Sequence, residues 1–150
     1  MALSQTLATS FKVEILDGIH NFGTGVIRAT TAADTFKIAL YTATATLDAT
    51  TTVYTTDNEV TGTGYTAGGV QIENVTINTD VATNTVYVSF DNVSWPGANF
   101  TARGALIYNS SQSNKSVAVL DFGSDKIFTS TSNTVTMPVN SATTALLRFV

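Results

Sequence analysis

The apolar positions of this chain change period once, and the change divides it. Leu7, Phe11, Ile15 and Ile19 recur every four residues, with Leu16 and Phe22 beside that stripe, which is the spacing of one helix face. Ser4 or Thr6 could cap the start, and Gly23 and Gly25 could end it. The spacing therefore predicts an N-terminal amphipathic helix over about 5–21, with His20 near its last carbonyls. GTGVIRATTAAD then reads as a connection. After Asp34 the period becomes two: Phe36, Ile38 and Leu40 alternate with Lys37, Ala39 and Tyr41. Further strands are expected in VQIENVTIN, TVYVSF, ARGALIYN, SVAVLDFG, KIFTS, NTVTMPV and TALLRFV. In VQIENVTIN the apolar phase slips between Ile72 and Val75, which predicts a bulge near Glu73 or Asn74. Pro96-Gly97 marks a turn, and SSQSNK reads as the mobile polar tip of a hairpin. Pro138 fits a sheet edge or a strand end, because it cannot donate to a ladder.

Residues 42–69 have no sustained period. A structureless connection of that length is unusual inside a compact domain. An ordered excursion is expected instead, with a short strand or helical turn near Val53 and Tyr54. About eight strands, with turns at short intervals, predict a mainly β chain. The expected architecture is one antiparallel β-sandwich or jelly-roll-like domain over 1–150, carrying the N-terminal helix.

Composition narrows what such a domain does. Charged residues are only 12% of the chain and 28 of its 150 residues are Thr. Thr suits a pleated surface with its hydroxyl facing water. Neutral hydroxyl faces lose their water more cheaply than charged ones, so they suit large static contacts with other proteins. The absence of Cys excludes disulfides, thiolate metal sites and cysteine nucleophiles. The seven Lys and Arg are scattered and the net charge is −4, so there is no basic stripe for nucleic acid. No apolar run is long enough to span a bilayer, and MALSQTLATSFKVEILDG lacks the basic and apolar regions of a signal peptide. Assembly in a cytosol, with no nucleic-acid or membrane partner, is expected.

Candidate chemistry is sparse. VTGTGYTAGG places Gly62, Gly64, Gly68 and Gly69 around Tyr65. A dinucleotide loop would need different spacing and a helix after it, and a Walker loop would need a Lys. The next segment here reads as a strand, so the glycines are expected to let backbone approach backbone, within the subunit or at an assembly contact. A catalytic triad would have to use His20, the only histidine; a structural role is the expectation. DNE at 57–59 and DFGSD at 121–125 could offer oxygen ligands, but neither fits a calcium loop, and turn chemistry accounts for both. Trp95, with Tyr87 and Tyr108, could form a sugar-stacking platform, although such aromatics more often serve cores and interfaces. No catalytic, cofactor or metal residue is expected.

Two longer segments carry a resemblance. DTFKIALYTATATLDATTTVYTTDNEVTGTGYTAGG and FTARGALIYNSSQSNKSVAVLDFGSDK resemble a family of small virion proteins of tailed bacteriophages. The similarity runs from about Ser10 to the C-terminus, and EVTGTGYTAGG and ARGALIYN are its most specific parts. The resemblance implies a particle component without enzymatic activity or cofactor. A cement or decoration protein on the capsid exterior is expected, bound to the major capsid protein and to copies of itself. A tail, adaptor or fibre component, or a glycan-binding attachment module, is the alternative. The expected contact residues are Phe11 and Ile15 of the helix; Gly62, Gly64, Tyr65, Gly68 and Gly69 of the glycine loop; and Ser111, Gln112 and Asn114 of the hairpin tip.

Overall fold

The computed structural model describes residues 3–16, 18–23, 33–137 and 141–149. The described chain is mainly β and every strand pairing is antiparallel. In chain order the elements are β1 (Thr6–Leu7), α1 (Thr9–Leu16), β2 (Phe36–Tyr41), β3 (Val70–Gln71), β4 (Thr76–Asp80), β5 (Thr85–Ser89), β6 (Val93–Ser94), β7 (Phe100–Asn109), β8 (Lys115–Phe128), β9 (Thr134–Val135) and β10 (Leu147–Phe149). The main sheet has the order β1-β8-β7-β2-β3. A three-stranded sheet, β10-β5-β4, and a two-stranded ribbon, β6-β9, complete the fold.

The centre of the main sheet is buried on both faces. Phe36, Ile38 and Leu40 of β2, with Ala105 and Ile107 of β7, face a large apolar cluster that also holds Phe11, Trp95, Phe100 and Leu147. Ala39 and Tyr41, with Leu106 and Tyr108, face a second cluster closed by Ala45 and Leu47. This is why ALIY and AVL read as near-continuous apolar runs rather than alternation. The second face is covered by the excursion over 42–69, which is ordered as expected: Val53 bridges Lys115, and Tyr54 N–H donates to Asn114 O. In β8 a register shift opposite Ile107 and Tyr108 lets both Val117 and Ala118 enter the large cluster.

Three sequence expectations need correction. A helix over 5–21 does not form. Residues 6 and 7 pair with β8 instead, and α1 spans only Thr9–Leu16. Its end is set by Gly18 (φ 66°), where Gly18 N–H donates to Ile15 O and Ile19 N–H to Glu14 O. That pair of bonds is a Schellman cap; the signal for it was Asp17-Gly18 rather than the later glycines. So short a helix is held by packing, chiefly of Ala8 and Phe11, not by its own propensity. Next, the phase slip at Glu73–Asn74 is not a bulge. Ile72 is a core residue at the end of the main sheet, Asn74 takes positive φ (51°), and β4 then belongs to the three-stranded sheet. The apolar phase changes because the chain changes sheets. Finally, KIFTS is no separate strand for most of its length, since residues 126–128 continue β8. DFGSD is a bulge inside β8, inserted opposite Arg103, which donates to Asp121. Asp17, Gly25 and Pro138 lie outside the described residues.

Candidate functional site

Two buried carboxylates organise the polar interior. The first is Glu59, only 8% exposed. It reaches the main sheet because Tyr41 and Glu59 form an antiparallel bridge. Tyr65 Oη donates to Oε1 at 2.6 Å, Gly68 N–H donates to the same oxygen at 2.8 Å, and Tyr54 Oη donates to Oε2 at 2.6 Å. Three donors satisfy a carboxylate that has no cation beside it among the described residues. The network continues outward. Tyr65 Oη accepts from Leu40 N–H of β2, and Tyr108 Oη donates to Gly68 O. Burial, reinforced by the carboxylate that each phenol donates to, raises Tyr65 and Tyr54 far above the ordinary phenol range. Tyr108 is pushed up to about 12, by burial first and by Glu59 second. These phenols are positioned donors that stay un-ionised at neutral pH.

The glycines of the same loop pack on backbone within the subunit. Gly69 takes φ +69°, and a Cβ there would overlap the Ile38 carbonyl of β2. A Cβ on Gly62 would meet Asn99 O at 2.9 Å, and one on Gly64 would meet Gly97 at 2.7 Å. The loop is thus clamped between β2 and the turn at 95–98, and the Tyr65 ring lies edge-on to Phe100 at 5.4 Å.

The second carboxylate is Glu14 of α1. It accepts from Lys115 Nζ at the start of β8 and from His20 Nε2 at 2.8 Å. The His20 side chain is fully buried, against Phe11 at 4.8 Å. Asn109 Nδ2 meets His20 Nδ1 at 3.1 Å and donates to Asp34 Oδ2 at 2.7 Å, while its Oδ1 accepts from Ser111 N–H. These bonds orient the amide, so Nδ1 of His20 faces a donor and must accept. The imidazole is held neutral, with Nε2–H directed at Glu14. Burial lowers the His20 pKa and outweighs the pull of Glu14 in the other direction. Burial alone would raise Glu14, but the bonds from Lys115 and His20 outweigh it and leave its pKa below the ordinary carboxylate value. Gln112 Nε2 also donates to Asp34, at 3.1 Å. Both ring nitrogens of His20 are committed, so neither is free to take a proton from a bound substrate.

The expected contact residues therefore divide. Phe11 is 1% exposed and belongs to the core. Gly62, Gly64, Tyr65, Gly68 and Gly69 form the internal clamp. Ile15 is half-buried beside a cavity of about 110 Å³ under the three-stranded sheet. Ser111, Gln112 and Asn114 sit at the hairpin tip as expected, but the tip is tied down. Ser111 Oγ accepts from Thr35 N–H, Gln112 holds Asp34, and Asn114 O accepts from Tyr54 N–H. Trp95 is 1% exposed, so it offers no platform to a sugar. Sequence reasoning met Glu59 only as a possible oxygen ligand in DNE and Lys115 only as part of the hairpin tip, and it missed the roles of Glu14, Asp34 and Asn109. Glu14 and Lys115 are 101 positions apart, so no local spacing could have joined them. Among the described residues, no group of three or more His, Asp or Glu is arranged to hold a metal ion, and no helix is long and apolar enough to cross a membrane.

The surface left open to solvent carries few charges and several large apolar side chains. The three-stranded sheet exposes Ile77, Val86 and Phe149, the β4–β5 turn exposes Val81, and the far end of β8 exposes Ile127. Beside Ile127 lies a groove of about 350 Å³. No protein-family model, curated protein or solved structure matches this chain.

Proposed function

We propose that this chain is a structural protein of a tailed-bacteriophage particle, a capsid cement or decoration protein that binds across the boundaries between shell subunits. The observation that carries this reading is the use of the polar interior. Glu59, Glu14, His20 and Asp34 are spent on holding the chain's own loops. The outward face is largely hydroxyl-bearing strand, with an apolar group of Ile77, Val86 and Phe149 on the three-stranded sheet. The likeness of EVTGTGYTAGG and ARGALIYN to small virion proteins supports the same reading, and so does the clamped, preorganised state of both segments. In this reading the two packed β layers form a jelly-roll-like sandwich, the partners are the major capsid protein and further copies of this chain, and the location is the capsid exterior. The mechanism is mass action. A subunit that binds only the assembled shell adds its binding free energy to that state, with no chemical step.

The test is to compare complete particles with particles lacking this chain. Complete particles should carry it in proportion to shell subunits, and its loss should lower the temperature at which DNA is released. A copy number matching one ring per particle would move the chain to the tail or its adaptor. Unchanged heat resistance would remove the cement role.

A further inference from the structure

The groove beside Ile127 arises from a hairpin whose arms do not pair. Thr129 N–H donates to Ser132 O, so the chain turns back after β8. The arms then separate, since 126–128 pair with β7 while β9 pairs with β6. The space between them is walled by Phe122, Ile127, Phe128 and Val135. Ile127 is 71% exposed, which is costly for so large an apolar side chain. At the mouth stands Lys126. Its ammonium reaches only the Ser124 hydroxyl and pairs with no carboxylate among the described residues.

The same molecule carries a complementary shape elsewhere. The β4–β5 hairpin ends in a turn over 81–84, opened by Val81, which is 82% exposed. Asp80 precedes it. One of its oxygens accepts from Ala82 N–H, and among the described residues it meets no cation. An apolar knob beside an unpaired carboxylate thus faces one way, and an apolar groove beside an unpaired ammonium lies at a different place.

We propose that the β4–β5 turn of one copy seats in the β8–β9 groove of a second copy, with Val81 against Ile127 and Phe128 and Asp80 paired to Lys126. The knob and the groove are different surfaces, so the contact is heterologous. It leaves one knob and one groove free in every pair, and it must close into a ring or continue as a chain of subunits. This contact does not depend on the particle reading and is tested on the isolated full chain.

Sedimentation velocity over a concentration series should show wild type growing beyond the dimer. Val81→Asp removes the knob and Lys126→Glu repels it from the groove. Both positions are exposed, so both variants should melt like wild type. Each alone should weaken association by about tenfold or more, as loss of an interface anchor does. Mixed together, the two variants retain one live groove and one live knob, and should form a dimer that cannot grow. A wild type that stays monomeric at every concentration would overturn the contact. So would variants that associate like wild type, or a mixture that remains monomeric.

Discussion

At the residue scale the glycine loop shows how little a motif says without its neighbours. In the sequence, Gly62 to Gly69 allowed close approach of backbone but named no partner. The partner is the chain's own β2, which lies beside Gly69 through a strand pairing no local spacing could reveal. Two substitutions separate conformation from space. Gly69 and Gly123 both take positive φ, +69° and +75°, but a Cβ on Gly123 would meet nothing within 4 Å. Gly123→Ala should cost only the left-handed penalty, about 1–2 kcal/mol. Gly69→Ala adds a collision with the Ile38 carbonyl and should cost more than about 3 kcal/mol. Thermal melts of the two variants check this, and equal losses would mean that φ alone governs the position. Tyr65→Phe makes a second case. It removes a donor from the buried Glu59 and an acceptor from Leu40 N–H. Glu59 keeps Gly68 N–H and Tyr54 Oη, but Leu40 N–H loses its side-chain acceptor, so the stability should fall by about 1–3 kcal/mol although the ring itself still packs.

At the element scale, legibility depended on whether an element is defined by its own residues. The β7–β8 hairpin was readable because its two apolar runs and the polar tip between them are contiguous. The helix was overextended because Leu7, Phe11, Ile15 and Ile19 keep helical spacing across a boundary that tertiary pairing imposes. Residues 6–7 gain a place on the β8 edge, and Gly18 stops the helix before Ile19. The end of α1 is then tied to the hairpin by Glu14, His20, Asn109 and Lys115. The charged or titratable groups around His20 are Glu14, Asp34 and Lys115. This tie gives a pH dependence of definite sign. The folded pKa of His20 lies below its ordinary value of 6.5, so the unfolded chain binds the proton first as pH falls. The stability from neutral His20 is complete above 6.5 and drains away as pH drops below it. Glu14, also lowered, adds a further loss once pH falls past its ordinary 4.5. The melting temperature should therefore decline over an interval that opens as pH drops below 6.5, with a further fall below 4.5. His20→Gln, which can still donate to Glu14, should flatten that interval. An unchanged slope in the variant would show that His20 is not the group responsible.

At the scale of the whole molecule, the low charge content was visible from composition, but its consequence was not. The structure draws many of the few charges inward or onto one another: Glu14 with Lys115, Arg103 with Asp121, and Glu59 among phenols. Few charges are left exposed, and on the three-stranded sheet Val86 and Phe149 lie side by side in solvent. A partner bound by such a surface is held mainly by desolvation of apolar and hydroxyl groups, which salt does not screen. Surface ion pairs, in contrast, weaken as the screening length shrinks from about 10 Å at 0.1 M to about 3 Å at 1 M. If this chain cements a shell, its release from particles should change little over that range of sodium chloride. Warming and chaotropic agents, which act on apolar hydration, should release it readily. Particles washed across the salt series, with the bound chain measured after each step, provide the check. Release at moderate salt would mean that charge holds the contact and that the neutral strand faces are bystanders. The proposed Asp80–Lys126 pair is a separate matter, because it would join copies of this chain to one another and not the chain to the shell.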